Sequence, residues 1–117
     1  LLLKQLMTIL FDNAIKYTEE DGKIEFVVYA TDRHLYLTVA DNGIGISAAD
    51  KKKIFDRFYR VDKARTRQKG GFGLGLSLAK QIVDALRGTI SVKDNKPRGT
   101  IFEVKIAIQS PPKRKNK

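Results

Sequence analysis

The sequence predicts an α+β fold, a two-layer α/β sandwich in which helices cover one face of a mixed, mostly antiparallel sheet. Two segments carry apolar residues at helical spacing, and four segments alternate apolar and polar residues as strands do. The order is helix, two strands, short helix, loop, helix, two strands, without the regular strand–helix repetition of a doubly wound sheet. The length of 117 residues suits one domain, which we place at residues 1–108.

The first half of the chain predicts a helix followed by a β-hairpin. Residues 2–17 carry an apolar stripe at helical spacing, and the Asp21-Gly22 turn signal follows them. Residues 23–30 and 35–41 then alternate with a period of two, as a pair of strands would. The apolar side of the first strand is Ile24, Phe26, Val28 and Ala30.

A short helix and a long loop are predicted in the middle of the chain. Ser47, followed three residues later by Asp50, resembles a capping box, so a short helix is expected to run to about Phe55. Residues 61–72 are polar, basic and end in glycines, which is typical of a mobile loop.

The second half predicts another helix and a closing pair of strands. The helix spans residues 74–87, and Gly88 is placed to end it. Residues 89–92 and 100–108 have strand character. The expected buried face of the helix is Leu78, Ile82 and Leu86.

Composition excludes several classes of protein. The chain has no cysteine, so it holds neither a disulfide nor a thiolate metal site. It has no apolar run near the ~20 residues that span a bilayer.

The first residues already look like the inside of a helix, so we expect an N-terminally truncated fragment. Residues 109–117 are expected to be a disordered basic tail. The net charge of +10 also has contributions between Arg57 and Lys69. Such a patch suits either nucleic acid or a polyphosphate ligand.

Asp41 is the most informative single residue. Leu35, Leu37 and Val39 form the inward side of its strand, and a period of two puts position 41 on that side. A carboxylate in an apolar space is costly unless a group donates to it. It could instead lie past the strand end and cap the next loop. The glycines that follow favour a ligand, because they let it approach the backbone closely. An adenine amino group would suit the carboxylate.

Two further features point to phosphate. The glycine cluster at residues 70–75 opens directly into a helix, whose free N–H groups and dipole attract anions; a flexible linker is the alternative. On the first helix, Asn13, Lys16 and Tyr17 fall within one turn. They offer an oxygen for Mg²⁺, a cation for phosphate and a ring for a base. Each alone could be an ordinary residue at the edge of a helix.

Five motifs occur in one order across residues 9 to 102. They are DNAIKYT at 12–18, DNGIGI at 41–46, IFDRFYRVD at 54–62, GFGLGL at 71–76 and GTIF at 99–102. They resemble, in that order, the N box, first glycine box, F box, second glycine box and last adenine-pocket motif of sensor histidine kinases. The chain is thereby identified as similar to the ATP-binding catalytic domain of that family, which has the Bergerat fold.

The resemblance implies a role for each matching residue. Asp41 matches the residue that binds the adenine amino group, and Asn13 matches the residue that holds Mg²⁺. Lys16 and Arg60 match phosphate contacts and, with Asn13, are the expected catalytic residues. Tyr17 matches a residue that lines the base pocket. The other expected nucleotide-binding residues are Gly43, Gly45, Ile46, Gly71, Gly73, Leu74, Gly75, Leu76 and Thr100. Residues 61–72 match the ATP lid. Phe55 and Phe58 match aromatic residues that anchor the base of this lid.

The same resemblance implies the reaction and its setting. The domain would bind Mg-ATP and donate the γ-phosphoryl group to a histidine on a separate dimerisation domain, with a response regulator downstream. No nucleic-acid partner is expected. The full-length protein would be a membrane-anchored homodimer with this domain in the cytoplasm, and the fragment alone would be monomeric.

Two departures from the family pattern bear on the chemistry. Four residues before Asn13, many histidine kinases carry another Asn and related ATPases carry a catalytic Glu, whereas this chain has Ile9. Isoleucine cannot activate water, which favours phosphoryl transfer over hydrolysis and leaves one metal or phosphate contact of the family pattern unassigned. The only histidine, His34, lacks the following Glu of a phosphoacceptor and is expected to be an exposed hairpin residue.

Three alternatives remain open at this point. A serine-directed anti-sigma factor kinase shares the fold, and a degenerate domain could bind ATP only for regulation. A basic nucleic-acid-binding module would use the net charge, although no recognised DNA or RNA motif is present.

Overall fold

A computed structural model describes residues 2–56 and 75–108 of the chain. In this part of the chain, three helices and four strands form the two layers that the sequence predicts. In chain order the elements are α1 (Leu2–Tyr17), β1 (Ile24–Ala30), β2 (His34–Asp41), α2 (Ala48–Lys51), α3 (Gly75–Ala85), β3 (Gly88–Asp94) and β4 (Thr100–Ala107).

The four strands form one sheet in the order β1-β2-β4-β3, and all three pairings among the described residues are antiparallel. The two central strands, β2 and β4, are built alike. Along each of them, alternate side chains are buried against the helices and the intervening ones are less buried. The buried positions are Leu37, Val39, Asp41, Thr100, Phe102, Val104 and Ile106.

The core lies between this sheet and helices α1 and α3. Leu6, Leu10 and Ala14 of α1 are buried on one stripe, as their spacing predicts. A cluster of buried apolar side chains joins both helices to β2 and β4. Phe55 packs edge-on against Phe102, with ring centroids 6.2 Å apart.

The predicted strand at residues 23–30 is present as β1, but its burial does not alternate. Phe26 and Val28 remain 40% and 48% exposed, although they lie on the side expected to be apolar. Among the described residues β1 pairs with β2 alone and forms an edge of the sheet, so less of the helical layer covers it. Phe26 contacts the ring of Phe11, which is itself 43% exposed.

The end of α3 also differs from the prediction. The residue with a left-handed backbone is Arg87, at φ 61°, and not Gly88. Gly88 instead begins β3, where a Cβ would collide with the Lys105 carbonyl of the neighbouring strand. The buried face of α3 comprises Ala79, Ile82 and Val83, and Leu78 stays 37% exposed.

The start of α2 is as predicted, and its end is earlier. Ser47 is the N-cap, and its Oγ accepts a hydrogen bond from the Asp50 N–H at 3.1 Å. The helix ends at Lys51, and a turn continues the chain to Phe55. Within residues 2–56 and 75–108, the helices lack the length and apolar character that a bilayer span requires.

Candidate nucleotide site

Asp41 lies at the end of β2 with its carboxylate on the core side of the sheet, and only 3% of the residue is exposed. Its Oδ1 accepts hydrogen bonds from the Gly43 N–H at 2.9 Å and from the Thr100 N–H at 3.3 Å. Among the described residues no donor reaches Oδ2. The inward direction predicted from the strand period is therefore confirmed.

Burial raises the pKa of Asp41, because desolvation disfavours the ionised form. The hydrogen bonds from the Gly43 and Thr100 N–H groups act in the opposite direction but do not cancel the effect of burial. A ligand N–H group at Oδ2 would stabilise the ionised form further. A buried acceptor of this kind suits the exocyclic amino group of adenine.

The first glycine box lies against the end of α1. A Cβ on Gly43 would collide with the Tyr17 carbonyl, so this close approach requires glycine. The next residue continues the contact, since the Ile44 N–H donates to the Tyr17 carbonyl at 3.2 Å. Gly45 follows at φ +79°, a conformation that favours glycine. Ile46 then packs on the edge of the core.

Thr100 is brought beside Asp41 by strand register, which the sequence could not show. The two residues are direct partners in the β2–β4 pair, and Thr100 is only 4% exposed. Gly99 precedes it at φ +111°, where a Cβ would collide with the Asp41 carbonyl. The last adenine-pocket motif and the first glycine box thus share one corner of the sheet.

Three predicted residues share the last turn and a half of α1. Asn13, Lys16 and Tyr17 are all half-buried there, next to the buried Ala14. Lys16 and Tyr17 already have interaction partners within the protein. Asn13 could supply one side-chain oxygen. Mg²⁺ is commonly held by one or two protein oxygens together with phosphates and water, so this position fits such an ion.

The start of α3 lies against α1 at Ile9, the residue that departs from the family pattern. A Cβ on Gly75, the first residue of α3, would lie 3.6 Å from Cγ2 of Ile9. Leu76 packs on the edge of the core. The structure therefore places Ile9, one helical turn before Asn13, beside the helix start that the glycine cluster predicts for phosphate.

Part of the predicted site falls outside the described residues. The residues concerned are Arg60, Gly71, Gly73 and Leu74, together with Phe58 and the predicted lid at 61–72.

Sequence reasoning missed two residues on the β3–β4 hairpin. Asn95 Nδ2 donates to the Asp41 carbonyl at 2.8 Å, and Arg98 Nε donates to the Gly43 carbonyl at 2.7 Å. The motif at 99–102 begins one residue too late to include Arg98. The only signal in the sequence was the turn-forming composition of Asn-Lys-Pro-Arg-Gly at 95–99.

Comparison with known proteins supports the motif assignment. A family model described as histidine kinase-, DNA gyrase B- and HSP90-like ATPase matches residues 1–110. The sensor protein CiaH of Streptococcus pneumoniae serotype 4 is 84% identical over 115 residues, which cover 98% of this chain and 26% of CiaH. The histidine-protein kinase ArlS of Staphylococcus aureus is 44% identical over 101 residues, which cover 86% of this chain and 22% of ArlS. The chain thus spans about a quarter of the length of the curated relatives it matches.

Solved structures give the same result. The mycobacterial sensor histidine kinase MprB matches with a TM-score of 0.80 at 29% identity, over 94% of this chain and 74% of that one. The catalytic domain of histidine kinase ThkA matches at 0.77 and 31% identity, over 94% and 69% of the two chains. Full-length ShkA in complex with AMPPNP matches at 0.75 and 28% identity, over 97% and 23%. The chain therefore belongs to the histidine kinase-, DNA gyrase B- and HSP90-like ATPase family, as an ATP-binding domain of the sensor histidine kinase type.

Proposed function

We propose that this domain binds Mg-ATP and donates the γ-phosphoryl group to a histidine on a separate dimerisation domain of a two-component sensor kinase. The observation that supports it most is the Asp41 carboxylate, which is buried and holds two backbone N–H groups on one oxygen. The other oxygen would accept from the adenine amino group.

The same carboxylate would select adenine over guanine. Guanine presents a carbonyl where adenine presents its amino group, so two acceptors would face each other at the buried Asp41. A buried hydrogen-bonding group can reject a ligand that lacks its partner by up to ~10⁴–10⁵-fold. ATP is therefore the expected nucleotide.

The phosphate end would lie between α1 and the start of α3. Asn13 would contribute an oxygen to Mg²⁺, and Lys16 would place a positive charge near the phosphates. Arg60 and the glycines at 71, 73 and 75 complete the set that the family pattern implies. When bound, Mg²⁺ would neutralise phosphate charge. The N–H groups of α3 would do the same, because a helix start carries partial positive charge.

The proposed reaction is an in-line displacement. An imidazole nitrogen of the acceptor histidine attacks the γ-phosphorus, and the bond from the γ-phosphorus to the β–γ bridging oxygen breaks. ADP leaves with that electron pair, and the imidazole loses its N–H proton to solvent. Positioning and charge neutralisation supply most of the catalysis in such transfers. Ile9 supports transfer over hydrolysis, because its apolar side chain borders the start of α3 and cannot activate water.

The proposal extends to the whole protein. The dimerisation domain would present the acceptor histidine, and a response regulator would take the phosphoryl group from it. We further propose that the full-length protein is a membrane-anchored homodimer with this domain on the cytoplasmic side, and that the fragment alone is a monomer.

The test is phosphoryl transfer in trans. With γ-labelled ATP, the isolated chain should incorporate no label, and an added dimerisation domain carrying the acceptor histidine should become labelled. The label should be lost in acid and survive base, because phosphohistidine is acid-labile. An acid-stable label would instead indicate a serine-directed kinase. The absence of any transfer, in a chain that binds ATP, would contradict the kinase assignment.

A further inference from the structure

Two side chains at the tip of the β3–β4 hairpin donate hydrogen bonds to backbone carbonyls of residues 41–43. We call the two side chains that do this, Asn95 and Arg98, the clasp. Asn95 Nδ2 donates to the carbonyl of Asp41, and Arg98 Nε donates to the carbonyl of Gly43. Both bonds join residues more than fifty positions apart in sequence.

The clasp is itself held in one orientation. The Lys96 N–H donates to Asn95 Oδ1 at 2.8 Å, so the amide nitrogen of Asn95 is the atom that faces Asp41. The Asn95 N–H donates to the Gly99 carbonyl at 3.0 Å, which closes the hairpin. On its outer side, Asp94 pairs with Lys51 of α2 at 2.6 Å. The hairpin tip is thus held by its own backbone hydrogen bond and by an ion pair to α2.

The peptide unit between Gly43 and Ile44 connects three elements. Its carbonyl accepts from Arg98 of the hairpin, and its N–H donates to the Tyr17 carbonyl at the end of α1. A cationic donor on the carbonyl polarises the peptide and strengthens the bond that its N–H makes. Arg98 therefore acts on the junction between the glycine box and the helix that carries Asn13 and Lys16.

We propose that Asn95 and Arg98 are positioning residues for nucleotide selection. They fix the backbone at 41–43 so that Gly43 and Thr100 hold Oδ1 of Asp41 and its Oδ2 faces the purine. This inference rests on the proposed function, because it assumes that the carboxylate binds adenine. The clasp does not touch the nucleotide in this scheme. Its effect reaches the base only through the direction of the Asp41 side chain.

The test uses matched neutral substitutions of Arg98 in the full chain. Arg98→Gln places an N–H donor as many bonds from the backbone as Arg Nε, whereas Arg98→Met has similar length and no donor. Lys96→Met removes one charge from the same loop without touching residues 41–43. Calorimetry measures affinity for AMPPNP and for GMPPNP, and amide exchange reports on the Ile44 N–H.

We expect Arg98→Met to weaken AMPPNP binding about tenfold, the size of one charge-assisted hydrogen bond. GMPPNP binding should stay unchanged, so the preference for adenine should fall. The Ile44 amide should exchange faster in Arg98→Met, while Arg98→Gln, whose donor is neutral, should recover part of both properties. Lys96→Met should behave as the unsubstituted chain.

The inference is overturned if Arg98→Met folds and binds AMPPNP within twofold of the unsubstituted chain, or if both nucleotides weaken equally. Should Arg98→Met fail to fold, Asn95→Ala carries the same test, because it removes the other clasp bond. Asp41→Asn separates the two proposals. If that variant keeps full affinity, the adenine assignment fails; if it loses affinity while Arg98→Met does not, only the clasp inference fails.

Discussion

At the scale of single residues, Asp41 combines two opposed demands. Its burial disfavours the charge, and the two N–H groups on Oδ1 favour it. The result is a carboxylate whose pKa is raised and whose other oxygen, Oδ2, accepts no hydrogen bond from the described residues. The protein thus keeps a costly group that a nucleotide would satisfy.

The first prediction concerns Asp41→Asn. The amide oxygen can still accept from Gly43 and Thr100, but an N–H group would replace Oδ2 and face the adenine amino group. We expect AMPPNP affinity to fall by about 100-fold or more, since a charge-assisted bond is lost and two donors oppose each other. Calorimetry measures the loss, and circular dichroism checks the fold. Near-normal affinity in a folded variant would refute the adenine assignment.

The second prediction follows from the raised pKa of Asp41. A carboxyl group whose pKa is higher in the folded than in the unfolded state binds more protons when folded. Its contribution to the free energy of unfolding therefore falls as the pH rises through the raised pKa. Asp41→Asn should thus make the nucleotide-free protein more stable at neutral pH.

Urea unfolding of both proteins across pH tests this. The stability difference between Asp41→Asn and the unsubstituted chain should shrink as the pH falls through the pKa of Asp41. Over the same range, AMPPNP binding to the unsubstituted chain should weaken, because protonation removes the acceptor. A stability difference that grows toward low pH would contradict the assigned direction of the shift.

At the scale of elements, the connection from α3 to β3 needs a left-handed residue and a residue without a side chain. One glycine often meets both needs, but here two different residues do. Arg87 takes the left-handed conformation, at φ 61°, and Gly88 permits the close approach of β3 to β4. From the sequence, Gly88 was expected to end the helix, and its close approach to β4 was not predicted. Backbone strain therefore falls on Arg87, which has a Cβ and a positive φ. The glycine lies one residue later, where the neighbouring strand leaves no room for a Cβ.

The third prediction is that Arg87→Gly stabilises the protein by about 0.5–1 kcal/mol, since glycine adopts positive φ without a Cβ clash. Arg87→Ala is the matched control, because it removes the same side chain and keeps the strain. The free energy of unfolding in urea measures both. If the glycine variant is no more stable than the alanine variant, backbone strain at position 87 is not the reason.

At the scale of the whole molecule, the net charge of +10 admits two explanations. Four basic residues lie within residues 113–117, and others cluster between Arg57 and Lys69, a stretch of sequence that overlaps the predicted lid at 61–72. Positive charge raises the local concentration of any polyanion, including ATP. Charge alone therefore does not distinguish a nucleotide site from a nucleic-acid surface.

The fourth prediction is that duplex DNA binds only non-specifically. At physiological salt we expect a Kd no tighter than ~1 µM, the range of non-specific binding, and a steep loss of affinity with added salt. Removing residues 113–117 should weaken it further and leave AMPPNP affinity unchanged. Filter binding measures the first effect and calorimetry the second. Sequence-specific binding that survives tail removal would favour the nucleic-acid module.

The sequence by itself determined the α+β fold class, the order of elements and the motifs that assign the family. Periodicity and turn residues carry that information locally, and the period of two in β2 even fixed the direction of Asp41. Only the tertiary structure decided which distant residues meet. Strand register placed Thr100 opposite Asp41, and the hairpin tip brought Asn95 and Arg98 onto the glycine box. It also left β1 exposed at the sheet edge. Such contacts depend on long-range pairing, which no local pattern in the chain records.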